Sequence, residues 1–236
     1  MREGDQLPSI PDLVREHGIT SGTAQWVVRV LVTEGLVISK PGSGTYVRAR
    51  PPIRSLVRSW HANLGRAMPS FDSGGDAIGS IGYRSTTVDG PAAVRDRLGL
   101  GPLPDGERPD LMKTTYTRKA AGEPVYLETS WEPLTLTRDT VIALPEDGPY
   151  GGRGVAERMR QIGVHVTHAP EVVSARAATV EEARALDIAA GDIVLRIERT
   201  HYAETRPVET ADIILPVDRY QLVYGLCMWD EPADSA

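Results

Sequence analysis

At 236 residues, 41% hydrophobic and 25% charged, the chain has an ordinary globular composition, long enough for one large domain or two smaller ones. It contains no uninterrupted apolar run of about 18 residues, and MREGDQLPSI reads as neither a signal nor a transit peptide, so membrane-spanning and exported classes are set aside and a cytoplasmic protein is expected. Cys227 is the only cysteine, which excludes an intramolecular disulfide, and it is given no catalytic role.

The net charge of −6 conceals an asymmetry: residues 1–66 hold nine Lys and Arg against five Asp and Glu, and the remainder holds 17 against 27. A polyanion would be drawn to the first part and repelled by the second, as expected if only a small module touches nucleic acid.

In chain order, LPSIPDLVREHG predicts a short helix, with Ser9 as N-cap, Asp12 placed to answer it and Gly18 as stop. Thr20 or Ser21 then caps a second helix. Its Ala24, Val27, Val28 and Leu31 form an apolar stripe expected to face the core, and Ser21, Gly22, Gln25 and Arg29 share a polar face that could enter a DNA groove. After Gly35, LVIS and TYVR read as two strands around the turn KPGSG, completing a winged helix-turn-helix over residues 1–48. The pattern dissolves around Pro51 and Pro52, and residues 49–68 read as a linker, with Arg48, Arg50, Arg54 and Arg58 making this stretch positive.

Alternating stretches follow: GYRSTTVD, DLMKTTYTRKAAGEPVYLETSWEP, VHVTHAPEVVSAR, DIVLRIERTHYAETRPVETADIILP and DRYQLVYGL. The second and fourth are hairpins, and helices are expected at 91–98, near 153–162 and at TVEEARALDI, where Thr179 and Glu182 fit a capping box. The predicted class is α+β, with a mixed antiparallel sheet carrying helices on one face over residues 69–231.

The stretch LPSIPDLVREHGITSGTAQWVVRVLVTEGLVISKPGSGTYV resembles the winged helix of the GntR family of bacterial transcription regulators, chiefly through LPS, TEGLV and GSGTYV. GEPVYLETSWEP, TVEEARALDI and RPVETADIILPVDRY resemble the UTRA effector-binding domain of its HutC subfamily, which looks like the chorismate lyase fold. The resemblance implies a homodimeric regulator, a repressor in the first place, that binds a double-stranded, palindromic operator and responds to a small molecule. It implies DNA contacts from Ser9, Ser21, Gly22, Thr23, Gln25, Arg29, Lys40, Ser43, Gly44, Thr45 and Arg48. Family members begin with a further helix upstream of LPS, whereas six residues precede Leu7 here, so the winged helix is expected to lack its first helix and to leave part of its stripe uncovered. The family also tends to place arginines at the positions of Pro11, Ser21 and Gln25. Gln25 can instead pair bidentately with adenine, and affinity is expected to lean on the linker arginines and on dimerisation.

Within the UTRA-like part, Arg118 and Glu128 occupy the places where sugar-phosphate-binding members hold an anionic group and accept from hydroxyls or an amide; read from the residues alone, the two are an exposed cross-strand ion pair, and it is the family placement that brings the functional reading level with it. Tyr116 replaces a second arginine, Leu215 and Pro216 replace a Tyr-Arg pair, and YGGRG replaces a phosphate-binding Ser or Thr. These departures argue against a plain sugar phosphate. Gly151, Gly152 and Gly154 beside Arg153 would still leave N–H groups for an anion at a helix start. The expected effector site is Tyr116, Arg118, Glu128, Gly152, Arg153 and Gly154, with a partly anionic or polar metabolite as ligand. His165 and His168, three apart on a predicted strand, point to opposite faces and chelate nothing; neither metal nor cofactor is expected. Two other classes stay open: a metabolite sensor acting through protein partners without DNA, and an enzyme on the lyase-like fold, for which no nucleophile motif is present.

Overall fold

The computed structural model describes residues 1–40, 42–48, 53–59, 79–120 and 122–225. The chain divides into two compact units, residues 1–53 and 54–236.

In the first unit, α1 (Ile10–His17) begins at Ser9, whose hydroxyl accepts from the Asp12 N–H at 3.3 Å, and ends at Gly18 with φ 62°, a left-handed residue best met by glycine. α2 (Ser21–Thr33) is capped by Thr20, whose Oγ1 accepts from the Thr23 N–H at 3.2 Å. β1 (Val37–Lys40) pairs antiparallel with β2 (Gly44–Val47). On its other side β2 is met by the chain start: Gly4 N donates to Val47 O at 3.0 Å, Val47 N to Asp5 O at 2.8 Å and Leu7 N to Thr45 O at 2.7 Å. Residues 4–7 thus extend the wing along β2.

The stripe expected to be core is only partly so. Ala24 is buried, Val28 and Leu31 are half-buried, and Val27 is exposed, as are Trp26, Val32, Leu36 and Ile38. Two helices and a small wing offer too little opposing surface to cover a full helix face.

The second unit is built on a six-stranded antiparallel sheet ordered β4-β5-β6-β9-β8-β7: β4 (Gly79–Val88), β5 (Leu111–Ala120), β6 (Glu123–Pro133), β9 (Arg206–Pro216), β8 (Ile193–Ala203) and β7 (Glu171–Ala177). The two expected hairpins, β5-β6 and β8-β9, are joined where β6 pairs with β9 (Leu127 opposite Ile214, Trp131 opposite Thr210).

Successive side chains alternate across the sheet. One face, carrying Leu127, Trp131, Val194 and Ile214, packs against α3 (Ala92–Arg97) and α6 (Val180–Leu186). The capping box expected for α6 is present, Thr179 and Glu182 satisfying each other's backbone N–H. The opposite face carries Tyr116, Arg118, Glu128, Glu132, Arg199 and His201. A second layer covers it at both ends: β3 (Arg54–Ser59) with β10 (Tyr220–Gly225) at one, and the segment around α5 (Val155–Arg160) at the other. Helices therefore flank both faces rather than one. The short α4 (Leu134–Thr137) follows β6 directly.

Two sequence expectations are corrected. Part of the presumed linker, residues 54–59, is β3, paired in parallel with β10 from Arg54 opposite Tyr220 to Ser59 opposite Gly225. Its alternation puts Leu56 and Arg58 inward, and Leu56 joins a core with Tyr126, Ile197, Ile213, Leu215 and Tyr220. The other correction concerns VHVTHAP, whose only ladder contact among the described residues is one bridge from His168 to Tyr202. His168 stacks on the Tyr202 ring, and its Nδ1 bonds Thr167 Oγ1 at 2.9 Å. Cys227, Arg50, Pro51 and Pro52 lie outside the described residues.

Candidate functional site

In the first unit the expected reading element is α2. Ser21, Gly22, Thr23, Gln25 and Arg29 are all exposed. Several expected contact groups already have intramolecular partners. Ser9 Oγ donates to Asp12 at 2.5 Å, Thr23 Oγ1 meets Thr20 Oγ1 at 2.9 Å, Ser43 Oγ meets the Tyr46 hydroxyl at 2.7 Å, and Thr45 Oγ1 meets Ser39 Oγ at 3.2 Å. Lys40 lies 5.3 Å from the Tyr46 ring centroid. Gly44, at φ 121°, lies so close to the Gln6 side chain that an added Cβ would come within 2.5 Å of its nitrogen; that nitrogen donates to Ser43 O at 3.1 Å, and the wing tip is braced from the chain start. Arg48 is half-buried, its guanidinium reaching back toward Gly35.

The charge asymmetry also needs redrawing. Residues 1–53 hold six Lys and Arg against five Asp and Glu, so most of the N-terminal excess sits beyond this unit. Arg58, expected to serve as a linker cation, is buried and bonds Glu171 at 2.8 Å, with burial and the neighbouring Arg199 pushing its pKa down to about 10. Its sequence environment, after Pro51 and Pro52 and the arginines Arg48, Arg50 and Arg54, hides this inward role.

In the second unit the polar sheet face gathers a connected set of charges. Glu128 stands directly opposite Tyr116, with Arg118 one step diagonal and 3.6 Å from its carboxylate. The same carboxylate accepts from Arg199, on β8, at 2.7 Å. Arg199 lies 4.0 Å from Glu209; burial works against its charge, but Glu128 and Glu209 hold its pKa above the usual guanidinium value. Glu209 meets His201 Nδ1 at 2.5 Å and is bonded by Ser130. Burial lowers the His201 pKa against the pull of Glu209, so the imidazole is neutral at pH 7. At one end, Glu132 and Arg158 form a bidentate pair at 2.6 and 2.8 Å, and the same guanidinium donates to Ile142 O at 2.9 Å, fastening α5 to the sheet.

Tyr116 is nearly buried. The Arg118 guanidinium lies 4.6 Å from its ring centroid, and its hydroxyl donates to Glu146 at 2.8 Å. Burial and the Glu146 carboxylate raise the phenol pKa, so the proton stays on the donor. Glu146 is where the glycines of YGGRG belong. A Cβ on Gly151 would stand 2.2 Å from the Glu146 carbonyl oxygen, so only glycine lets this loop close over that residue. Of the expected anion-cradle donors, Gly151 is taken up within the loop. The N–H groups of Gly151 and Arg153 bond Gly148 O and Tyr150 O within the loop, and Arg153 is half exposed and paired with Glu157. Gly154 caps a helix of only six residues.

Tyr116, Arg118 and Glu128 are thus brought together, with Gly152 near them through Glu146; Arg153 is turned to its own helix. Sequence reading missed Arg199, Glu209, His201 and Glu146. Opposition of His201 and Glu209 across the β8-β9 turn was open to a register argument, obscured by the irregularity at Tyr202. Glu146 carries no local signal, since loop closure brings it in. Among the described residues no cluster of His, Cys, Asp or Glu could hold a metal ion, and no helix is long and apolar enough to cross a membrane.

Comparison with known families bears on both units. The model for bacterial regulatory proteins of the gntR family matches residues 1–47, and the UTRA domain model matches residues 83–221. The chain belongs to the GntR family of bacterial transcription regulators. This GntR regulator is 30% identical over 212 residues to an HTH-type transcriptional regulator of Streptomyces coelicolor, the match spanning 84% of the chain and 75% of the relative. It is 26% identical over 222 residues to the histidine utilization repressor of Pseudomonas putida, spanning 92% and 81%. A crystal structure of a GntR-family transcriptional regulator matches with TM-score 0.73 at 39% identity, covering 96% of this chain and 90% of the other. PhnF of Mycobacterium smegmatis has the same fold, with TM-score 0.55 at 17% identity over 96% and 94% of the two chains. The GntR regulator is of the HutC type, a winged helix-turn-helix followed by a UTRA domain, and its role is transcriptional regulation.

Proposed function

We propose that this GntR regulator is a homodimeric repressor that binds a palindromic operator through α2 and the wing and changes its DNA affinity when a small metabolite occupies the polar face of the UTRA sheet. The observation that carries the reading is the Arg118–Glu128–Arg199 cluster: charged groups on an otherwise buried sheet face, in a domain that shares its chain with a reading helix. Burying charge is costly unless pairing repays it, and Arg118, with its side chain 24% exposed and only a 3.6 Å contact to Glu128, is the member held loosely enough to exchange partners.

On the DNA side, Ser21, Gly22, Thr23, Gln25 and Arg29 form the reading face. Lys40, Ser43, Gly44, Thr45 and Arg48 belong to the phosphate-contacting wing, and Ser9 to the start of α1. On the effector side the proposed residues are Tyr116, Arg118, Glu128 and Gly152, joined by Arg199 and Glu146. The Arg153 side chain, paired with Glu157, is left out. A two-fold dimer would set two copies of α2 about one helical turn of DNA apart, which is why the operator is expected to be palindromic.

The test is fluorescence anisotropy of duplex from the chain's own promoter region at two salt concentrations, with and without pooled small metabolites. Steep salt dependence and a shift on adding metabolites are expected. A dimer that binds metabolite but no duplex would replace this reading with that of a sensor acting through protein partners.

A further inference from the structure

On the polar face one guanidinium is loosely held, and two consecutive carboxylates of the glycine-rich loop have no cation beside them among the described residues. Glu128 is held by Arg199 at 2.7 Å, Glu132 by both nitrogens of Arg158, Glu171 by Arg58 and Glu209 by His201. Arg118 is then the guanidinium with the weakest hold on any carboxylate of this face. Its counterpart lies on the glycine-rich loop: Glu146 has no ion-pair partner among the described residues, and its hydrogen bond comes from the neutral Tyr116 hydroxyl. The next residue repeats the pattern, with the Tyr83 hydroxyl donating to Asp147 and no cation beside it among the described residues. Tyr83 and Tyr116 are cross-strand partners on β4 and β5, so two neighbouring phenols hold two consecutive carboxylates over the same patch of sheet.

The geometry separates Arg118 from Glu146 by one aromatic ring. Arg118 sits against the face of Tyr116, and Glu146 sits at its hydroxyl. A ligand with only anionic groups would gain Arg118 but would stand in the field of Glu146 and Asp147, and each added negative charge would worsen that balance. A ligand with only cationic groups would meet the opposite difficulty at Arg118. A molecule carrying one carboxylate and, a few bonds away, one ammonium or basic nitrogen satisfies both.

We infer that the effector is a small zwitterion, its carboxylate on Arg118 and its cationic nitrogen on Glu146, and that Glu146 is the residue selecting it over phosphorylated ligands. This rests on the polar face being the effector site. The loop glycines then have a functional sense: they allow the chain to turn tightly enough to deliver the Glu146 carboxylate to Tyr116.

The experiment is isothermal titration calorimetry of the full chain with free L-amino acids, their N-acetyl forms (anion only), their methyl esters (cation only) and inorganic phosphate. At least one free amino acid should bind, and both of its half-charged derivatives should bind roughly tenfold more weakly or worse, since one charge-assisted hydrogen bond is worth that much. Glu146→Gln should weaken the amino acid to a similar extent while leaving phosphate no weaker than before. Asp147→Asn should have a smaller effect, and thermal melting of both variants establishes that they fold. If phosphate or the N-acetyl forms bind best, or Glu146→Gln leaves amino-acid affinity unchanged, the zwitterion assignment is overturned while the effector site stands. If no probe binds, and none alters duplex affinity, both readings fall.

Discussion

The Glu132–Arg158 pair allows a quantitative test of how the polar face is held. Both side chains are 2–3% exposed, and together they make three hydrogen bonds, two between the charges and one to the Ile142 carbonyl. Arg158→Met would leave a carboxylate buried without a cation and a carbonyl without a donor, a loss of about 3–5 kcal/mol. For a unit of this size each kcal/mol corresponds to about 2–4 °C, so the melting temperature should fall by roughly 6–20 °C. Glu132→Leu combined with Arg158→Met removes both charges and leaves only the carbonyl unsatisfied, costing about 1–3 kcal/mol. Differential scanning calorimetry of the two single variants and the double variant would close the cycle. A single variant losing under about 1 kcal/mol, or a double variant losing the sum of the singles, would refute the premise that this pair is desolvated and mutually dependent.

Three further expectations concern reading, closure and protonation. Gln25→Ala should cost roughly 1–3 kcal/mol on the cognate operator and little on random duplex, measured by anisotropy; equal losses on both would remove the adenine-reading role. Gly151→Ala would force the new methyl against the Glu146 carbonyl, so the loop should shift and ligand affinity by calorimetry should drop, with α2 and duplex binding in the absence of ligand unaffected. On acidification, His201 and Glu209 act with the same sign. The folded state holds both pKa values below their ordinary 6.5 and 4.5, so the unfolded chain binds more protons below about pH 6.5. The contribution of this pair should be level above that value and fall beneath it, so in urea titrations His201→Gln should flatten the upper part of the pH dependence relative to the unaltered chain; identical pH dependences in the two would contradict the burial of a neutral imidazole.

Elements with a strong local period were legible from the sequence: α1 and α2 with their caps, both hairpins, and the capping box at Thr179 and Glu182. What escaped was set by distant partners. Residues 54–59 carry a strand alternation as plain as any other, but the flanking prolines and arginines suggested a solvated linker, and the partner strand lies about 166 residues further on. At the candidate site, Arg118 and Glu128 could be paired because one hairpin fixes their spacing. Arg199 enters through two further strand registers, and Glu146 through a loop closure that no periodicity encodes. In the YGGRG stretch, Gly151 serves close backbone approach to Glu146, a role that no local pattern signals.

The parallel pairing of β3 with β10 has a consequence for biogenesis. Among the described residues the second unit's first strand is matched by its last, so Leu56 cannot acquire its neighbour Tyr220 until more than 160 further residues have left the ribosome. The reading module, whose helices and wing lie within the first 48 residues, faces no such wait. Synthesis therefore yields a reading head before a finished sensor, and an interrupted chain would carry the former without the latter.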